Sequence, residues 1–218
     1  MKLVSFTVCP YVQRAVFALE EKGARYDVQY IDLDRKPEWF LALSPRGKVP
    51  ILVLDDGVVL FESQAICEFL DETLGEPLAS RDPSRRARER AWFAFSGEDL
   101  FVPLYQLEVA TTAEAVETRR QALTKALTRL EREMEGRTWL SGDGSAFGLA
   151  DVAMLPAFTR IAHHAERDGL DVLADLPAVG AWSARLLARP AAARSIPATW
   201  ERDLRAMMAR HGSVLAGC

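Results

Sequence analysis

The sequence contains few cysteines, few histidines and no long run of apolar residues. Three scattered cysteines in 218 residues do not suit a disulfide framework. The opening residues, MKLVSFTV, are interrupted too early for the apolar region of a secretory signal. No apolar run approaches the roughly 18–20 residues that cross a bilayer. These absences predict a cytoplasmic protein with no membrane partner.

The chain also lacks a surplus of positive charge. It has 27 Lys and Arg residues against 31 Asp and Glu residues, a net charge of −4, whereas nucleic-acid-binding proteins usually carry a basic surplus. His163 and His164 are adjacent, so on a helix their side chains point about 100° apart and do not easily share an ion. We therefore expect no nucleic-acid partner, no metal site and a surface position for both histidines.

Strand and helix patterns alternate over the first third of the chain. Short apolar or alternating runs predict four strands, at Lys2–Phe6, Tyr26–Leu33, Ile51–Leu54 and Val58–Phe61. Apolar residues at helical spacing predict three helices, from Pro10 to the stop at Gly23, over Glu38–Leu43 and over Ser63–Leu74. The predicted order is therefore β-α-β-α-β-β-α.

The rest of the chain carries helix patterns only. Five helices are predicted, from about Arg85 with a disturbance at Pro103, over Ala113–Met134, from about residues 148–151, over Pro177–Ala188 and over Trp200–His211. A linker at about residues 78–83 therefore separates a domain over residues 1–77 from a domain over residues 84–218. The predicted fold class is an α/β domain followed by an all-α domain.

Cys9 stands directly before Pro10 in the stretch TVCPYVQR. Proline suits the first position of a helix, which places Cys9 at the N-cap, beside unpaired backbone N–H groups and the positive end of the helix dipole. This setting favours the nucleophilic thiolate and predicts a pKa below the free value of roughly 8.5. The alternative is a small buried residue without reactivity. Val12 stands where a C-x-x-C motif has its second cysteine, so a reactive Cys9 must exchange with an external thiol.

Pro50 follows a glycine-containing loop and precedes a predicted strand. In this context the Val49–Pro50 bond is a candidate cis peptide, which would turn the backbone N–H and C=O of Val49 outward. These groups could then pair with an extended peptide, as an added strand does. An ordinary trans turn is the alternative.

Glu62 and Ser63 stand at the start of a predicted helix. Ser63 could simply cap that helix. Its hydroxyl and the neighbouring N–H groups could also bind a carboxylate, while Glu62 could accept an ammonium group. Together the two residues could hold the charged groups of an amino acid.

Five segments of the sequence resemble the cytosolic glutathione transferases in order and in spacing. They are Cys9-Pro10-Tyr11, Lys36–Phe40 (KPEWF), Ser44–Pro50 (SPRGKVP), Glu62-Ser63 and Phe69–Glu72 (FLDE). The cysteine before proline and the KPEWF segment are most similar to the omega class. The resemblance is weaker in the helical part, where the segment FGLAD has Gly148 in place of the family's usual Ser or Thr.

The resemblance implies a thioredoxin-like domain with a mixed four-stranded sheet, an all-helical C-terminal domain, a homodimer and glutathione as co-substrate. The residues that would contact glutathione are Cys9, Tyr11, Lys36, Val49, Pro50, Glu62 and Ser63. Cys9 would face the sulfur and Lys36 the glycyl carboxylate. Val49, before a cis proline, would pair with the cysteinyl backbone. Glu62 and Ser63 would hold the γ-glutamyl end, and Tyr11 stands where the class commonly has Phe.

The sequence is compatible with three functions. The first is a glutathione-dependent thiol transferase or reductase, in which Cys9 forms a mixed disulfide with glutathione. Its substrate would be a glutathionyl adduct, a small thiol, a disulfide or dehydroascorbate. The second is conjugation of glutathione to an electrophile. A Ser or Tyr hydroxyl suits this reaction better than a cysteine, because it donates a hydrogen bond to the glutathione thiolate, whereas a cysteine can itself bond covalently to glutathione. The third is a non-catalytic glutathione-binding or regulatory protein. The occurrence of Cys9, Pro50, Glu62 and Ser63 together argues against the third function. We favour the first, with the second able to coexist weakly.

Overall fold

The N-terminal part of the chain forms a mixed sheet of four strands. The computed structural model describes residues 1–217, and its strands are β1 (Lys2–Ser5), β2 (Asp27–Tyr30), β3 (Ile51–Val53) and β4 (Val59–Phe61). The strand order is β2-β1-β3-β4. Strand β1 is parallel to β2, whereas β3 is antiparallel to both β1 and β4. The predicted mixed four-stranded sheet is confirmed.

Three helices accompany this sheet, and the first of them is buried on all sides. They are α1 (Pro10–Glu21), α2 (Glu38–Leu43) and α3 (Ser63–Thr73). Gly23, just after α1, has a φ of 61°, a left-handed conformation that glycine adopts without strain. Eight consecutive residues of α1, from Val12 to Leu19, are buried. A helix buried all round lies inside a core rather than on its surface, and one apolar cluster indeed runs from Leu3 through Phe17 to Trp182.

The C-terminal part is helical, as predicted. After residue 82 its described elements are α4 (Pro83–Phe95), a π-helical segment (Ser96–Phe101), α5 (Val102–Glu108), α6 (Ala113–Met134), α7 (Leu149–Asp168), α8 (Pro177–Leu187), α9 (Pro190–Arg194) and α10 (Trp200–Arg210). Within residues 1–217, none of the helices has the length and apolar content that a membrane crossing requires.

Two details of the helical part differ from the prediction. The disturbance expected at Pro103 lies instead in the π-helical segment, and Pro103 occupies the first turn of α5, where a missing N–H costs little. The short helix α9 was not predicted, because five residues are too few to show a helical period.

The two parts are joined by a segment that is held against the first domain. Lys22 and Asp71 form an ion pair of 2.7 Å whose side chains are only 4% and 3% exposed. The Asp71 carboxylate also accepts hydrogen bonds from the backbone N–H groups of Leu78 and Ala79, at 2.6 and 2.9 Å. Residues 74–82 lie between α3 and α4; the linker at about residues 78–83 and the domain boundary stay predictions.

The start of α7 is capped from a neighbouring loop. Its N-cap residue, Gly148, has no side chain, but Ser141 Oγ accepts hydrogen bonds from the N–H groups of Ala150 and Asp151, at 3.0 and 3.4 Å. A Cβ atom on Gly148 would lie 2.7 Å from Ser141 Oγ and 2.6 Å from the Leu78 carbonyl oxygen. The Ser141 hydroxyl therefore caps α7 in place of an N-cap side chain, and it occupies the space that such a side chain would need.

Candidate active site

Cys9 occupies the N-cap of α1, as predicted. Pro10 is the first helical residue, and the backbone of Cys9 is extended, with φ −76° and ψ 117°. The backbone N–H groups of Val12 and Tyr11, in the first turn of the helix, act to lower the pKa of the Cys9 thiol. The half-buried Cys9 side chain therefore lies at the positive end of α1.

The expected low pKa of the Cys9 thiol is wrong for the protein without a ligand. Burial raises this pKa, and its effect outweighs the N–H groups of Val12 and Tyr11 and the charges of Arg160 and Arg14, each of which lowers it. The sequence indicated the helix terminus but not the desolvation of the sulfur by both parts of the chain. At neutral pH the free Cys9 thiol is therefore mostly protonated.

The second described cysteine is inert. Cys67 lies on the inner face of α3 with no exposed surface, and burial raises the pKa of its thiol to about 12. The prediction of a buried filler residue is confirmed. Cys218, expected to be a mobile terminal thiol, lies outside the described residues.

Five of the predicted glutathione-binding residues line one cleft of about 450 Å³, the main cleft. They are Tyr11, Val49, Pro50, Glu62 and Ser63. The Val49–Pro50 peptide bond is cis, as predicted. Residues of α4 and of the π-helical segment form the opposite wall. The main cleft therefore lies between the two parts of the chain, where ligand sites commonly occur.

Lys36 is not among the residues that line the main cleft, and its side chain is exposed. Arg46 and Lys48 line the cleft instead. Both belong to the SPRGKVP loop that sequence reasoning singled out without giving these two cations a role. The contact of Lys36 with a glycyl carboxylate stays a prediction, and Lys48 is a further cation able to meet that charge.

Glu62 has a strained backbone. Its φ of 67° makes it the one non-glycine residue with positive φ among residues 1–217, a conformation that costs on the order of 1–3 kcal/mol and persists where the surroundings impose it. Its Oε1 accepts a hydrogen bond from Arg46 Nη1 at 2.5 Å. Both side chains are about half exposed, so an incoming ammonium group could reach the carboxylate.

Ser63 does not cap α3, contrary to the simpler of its two predicted roles. Glu62 occupies the N-cap, and Ser63 is the first helical residue. The buried Ser63 hydroxyl accepts a hydrogen bond from Arg14 Nη1 at 3.3 Å. Sequence reasoning missed Arg14, because it lies opposite the predicted apolar face of α1 and is buried only because α1 is enclosed on all sides.

Arg14 is a buried cation that no described carboxylate neutralises. Its guanidinium donates to Ser96 Oγ at 2.5 Å and to the carbonyl oxygens of Phe93 and Ala153, both at 3.4 Å. The rings of Phe93 and Phe101 lie 4.5 and 4.3 Å from it. Burial lowers the pKa of Arg14 to about 10, so the group stays charged at neutral pH. Arg14 therefore carries positive charge to the floor of the main cleft, which it also lines.

A second cavity, of about 330 Å³, opens at Cys9. This apolar cavity is lined mostly by apolar side chains, Phe101, Val102 and Tyr105 among them. Tyr11 lines both the apolar cavity and the main cleft, and its hydroxyl lies 3.5 Å from the Gly97 carbonyl oxygen in the π-helical segment. The two spaces therefore adjoin, with Cys9 on the apolar side, and their chemistry suits a polar ligand next to an apolar one.

The expected surface position of the two histidines is wrong. His164 is only 2% exposed, with Nε2 3.2 Å from Glu108 and Nδ1 2.6 Å from Asp168, and His163 packs edge-on against the Trp200 ring. The reason is that α7 is enclosed by other helices along most of its length. In the described chain no group of three or more His, Cys, Asp or Glu side chains could hold a metal ion.

The fold and the site together define a class of protein, in which a thioredoxin-like domain and a helical domain share a ligand cleft. Residues 8–73 match the family Glutathione S-transferase, N-terminal domain, and residues 90–190 match Glutathione S-transferase, C-terminal domain. The chain is 32% identical over 216 residues to Probable glutathione S-transferase BZ2 of Zea mays, covering 91% of each.

It is 29% identical over 209 residues to Glutathione S-transferase omega-1 of Sus scrofa, covering 94% of this chain and 83% of that relative. A crystal structure of a Tau class glutathione S-transferase from mango, Mangifera indica, has a TM-score of 0.80 at 25% identity, covering 97% of this chain and 98% of that one. The chain therefore belongs to the glutathione S-transferase family. This membership confirms the predicted glutathione transferase and the predicted fold class.

Proposed function

We propose that this glutathione transferase is of omega-like type and uses Cys9 for glutathione-dependent thiol transfer. The observation that carries the proposal is the place of Cys9, at the N-terminus of α1, on the wall of the apolar cavity and beside the main cleft. Of the two cysteines described, Cys9 alone has exposed surface. A nucleophilic thiol needs access and nearby positive groups, and Cys9 has both.

The proposed reaction has two balanced steps. The Cys9 thiolate attacks the glutathionyl sulfur of a substrate that carries glutathione in a mixed disulfide. The substrate's own sulfur leaves as a thiolate and takes up a proton, and Cys9 becomes bonded to glutathione. A second glutathione, as thiolate, then attacks that disulfide, so that oxidised glutathione leaves and the Cys9 thiolate returns. The second thiol must come from solution because position 12 is Val12.

The main cleft would hold glutathione along its length. Glu62 and Ser63 would meet the γ-glutamyl end, and Val49 would pair with the cysteinyl backbone, as the resemblance implies. Lys48, together with Lys36, would meet the glycyl carboxylate, whereas Arg46 is paired with Glu62 at the γ-glutamyl end. The acceptor would occupy the apolar cavity, which favours a compound with an apolar body.

Conjugation is a second candidate, and the raised pKa of Cys9 favours it. A thiol that is mostly protonated at neutral pH can donate a hydrogen bond to the thiolate of bound glutathione, as a hydroxyl does. The similarity to a Tau class enzyme agrees with either chemistry. The two functions differ in whether Cys9 becomes covalently modified during turnover.

The deciding experiment follows the covalent state of Cys9. Incubation with oxidised glutathione should add one glutathionyl group, on Cys9, and Cys9→Ser should lose activity towards a glutathionylated peptide. Cys67→Ser is the matched control, because Cys67 is buried, and should keep both properties. An unmodified Cys9, with thiol transfer intact in Cys9→Ser, would contradict thiol transfer. Conjugation would be supported if only an aryl halide is turned over.

We also propose that the protein is a homodimer and is cytoplasmic. The apolar side chains of Val58 and Phe61, on and beside the edge strand β4, are 48% and 42% exposed, and such exposed apolar surface is typical of an interface. Light scattering on the purified protein tests the first statement, and imaging of a tagged chain in its own cell tests the second.

A further inference from the structure

A buried arginine from the helical part reaches the residue that precedes Cys9. Arg160 lies on α7 and is 3% exposed, and its Nη2 donates a hydrogen bond to the Val8 carbonyl oxygen, 152 residues earlier in the chain. Arg160 and Cys9 also line the same apolar cavity. The guanidinium thus contacts the turn that carries Cys9 and lies in the neighbourhood of the sulfur.

The position of Arg160 is set by a chain of charged groups that are buried or partly buried. Its Nη1 donates to Glu108 Oε1 at 2.5 Å, and the same oxygen lies 3.2 Å from His164 Nε2. His164 Nδ1 lies 2.6 Å from Asp168, which also accepts a hydrogen bond from Arg205 at 2.8 Å. We call these five residues the charge chain. The charge chain runs from the turn at Val8 and Cys9, just before α1, to Arg205 on α10.

Stability alone does not account for the charge chain. Buried ion pairs are often no more stabilising than well-packed apolar residues of the same volume. Moreover, the Nε atom of Arg160 is buried and has no hydrogen-bond partner within the described residues, which is a further cost. An arginine placed at this cost beside a thiol is better explained by the action of its charge.

We propose that Arg160 is a positioning residue for Cys9, which fixes the turn at Val8 and stabilises the Cys9 thiolate by its positive charge, while Glu108 and His164 hold the guanidinium in place. The inference rests on the proposed function, since a thiolate matters only if Cys9 reacts. It concerns the formation of the thiolate, however, which can be measured in the protein without glutathione.

The other charged groups around Cys9 allow the effect of Arg160 to be isolated. From α1, Arg14 also lowers the pKa of the Cys9 thiol, less than Arg160 does, and the Tyr11 hydroxyl interacts with Cys9. From α5, Glu108 is the carboxylate that lines the apolar cavity. Variants at positions 160 and 108 leave Arg14 and Tyr11 unchanged. A change in the ionisation of Cys9 in these variants therefore measures the effect of the Arg160–Glu108 pair.

The test uses two variants that break the same ion pair by removing opposite charges. The rate of Cys9 alkylation by iodoacetamide is measured against pH in the ligand-free protein. Arg160→Met should raise the apparent pKa of Cys9 by about one unit, which is about tenfold slower alkylation at pH 7. Glu108→Gln leaves the arginine unneutralised and should shift the profile the opposite way, with faster alkylation. Arg160→Lys keeps the charge and should restore most of the rate.

Arg205→Met is the matched control, because it also removes an arginine from the charge chain. Arg205 is partly buried, and it neither bonds to Val8 nor lines the apolar cavity. It should lower the melting temperature and leave the pH profile of Cys9 alkylation unchanged.

Two results would overturn the proposal. One is a shift of the Cys9 pH profile in the same direction in Arg160→Met and Glu108→Gln, and the other is no shift in Arg160→Met. If Arg160→Met does not fold, Glu108→Gln decides, and a profile that does not move to lower pH refutes the role of Arg160. Should Cys9→Ser keep thiol transfer while these opposite shifts appear, the proposed function fails and the action of Arg160 stands.

Discussion

Arg14 Nη1 and Ser63 Oγ are 3.3 Å apart and join the first helix to the start of α3 across 49 residues of sequence. The same guanidinium binds Ser96 in the π-helical segment. One buried cation thus fixes both walls of the main cleft. Its charge lies beneath the place where Glu62 and Ser63 would meet the γ-glutamyl end of glutathione.

We expect Arg14→Met to weaken both the fold and glutathione binding. The variant leaves two buried hydroxyl groups and two carbonyl oxygens with a missing partner, and each such loss costs about 1–3 kcal/mol. Urea unfolding measures the stability, and calorimetry on the folded variant measures the affinity for glutathione. An unchanged affinity would mean that Arg14 serves the fold alone.

Ser63→Ala should weaken glutathione binding by about 1–3 kcal/mol if its hydroxyl binds a carboxylate. Ser84→Ala is the matched control, because Ser84 stands in the first turn of α4 and bonds only locally, to Asp82. Calorimetry on both variants separates the two cases. Equal affinities in Ser63→Ala and Ser84→Ala would remove Ser63 from the site.

At the start of α7, Gly148→Ala should destabilise the protein more than Ser141→Ala. Loss of the Ser141 hydroxyl removes a cap and costs about 1 kcal/mol. A Cβ at position 148 would also lie 2.6 Å from the Leu78 carbonyl oxygen. Because this oxygen is a backbone atom, the backbone at Leu78 or at position 148 must move to relieve the clash. Gly180→Ala in α8 is the control, since nothing lies within 4 Å of its Cβ, and it should be neutral or stabilising by up to about 1 kcal/mol. Urea unfolding of the three variants checks this order.

Acid should weaken the contribution of Asp168 to stability. Burial raises the pKa of its carboxyl, but hydrogen bonds from His164 and Arg205 outweigh burial and hold the pKa below its ordinary value of 3.8. A carboxyl with a depressed folded-state pKa stabilises the fold above its unfolded-state pKa and loses this contribution as pH falls towards the folded-state value.

The difference in unfolding free energy between wild type and Asp168→Asn should therefore be full at pH 7 and pH 5 and shrink below about pH 4.5. Urea unfolding at pH 7, 5, 4 and 3 measures it. A difference that does not change with pH would show that the Asp168 carboxylate is not held in its charged form.

The features that the sequence predicted well are those that depend on neighbouring residues. Pro10 next to Cys9 was enough to place the thiol at a helix terminus. The glycine-containing loop before Pro50 made a cis bond a candidate, and the family resemblance favoured it over a trans turn. Glu62 and Ser63 were placed correctly at the start of α3. In each case the relevant geometry is set within a few residues of the chain.

The contacts between distant residues could not be predicted in this way. Helical periodicity shows which face of a helix is buried, but it does not show that Arg160 will meet the carbonyl of Val8 or that Ser141 will cap α7. The direction of the Cys9 pKa shift was wrong for the same reason, because residues of the helical part bury the sulfur. Electrostatic properties of this site depend on the tertiary structure more than on local sequence.

The Lys22–Asp71 pair and its hydrogen bonds to Leu78 and Ala79 have a consequence for chain continuity. A single proteolytic cut within residues 80–82 would leave these contacts intact, and α1 would still be enclosed by both fragments. The severed halves should remain associated as a non-covalent complex, because separation would expose the apolar surface of α1 to water. The protein is therefore a natural candidate for fragment complementation, in which two separately produced pieces assemble into one active unit.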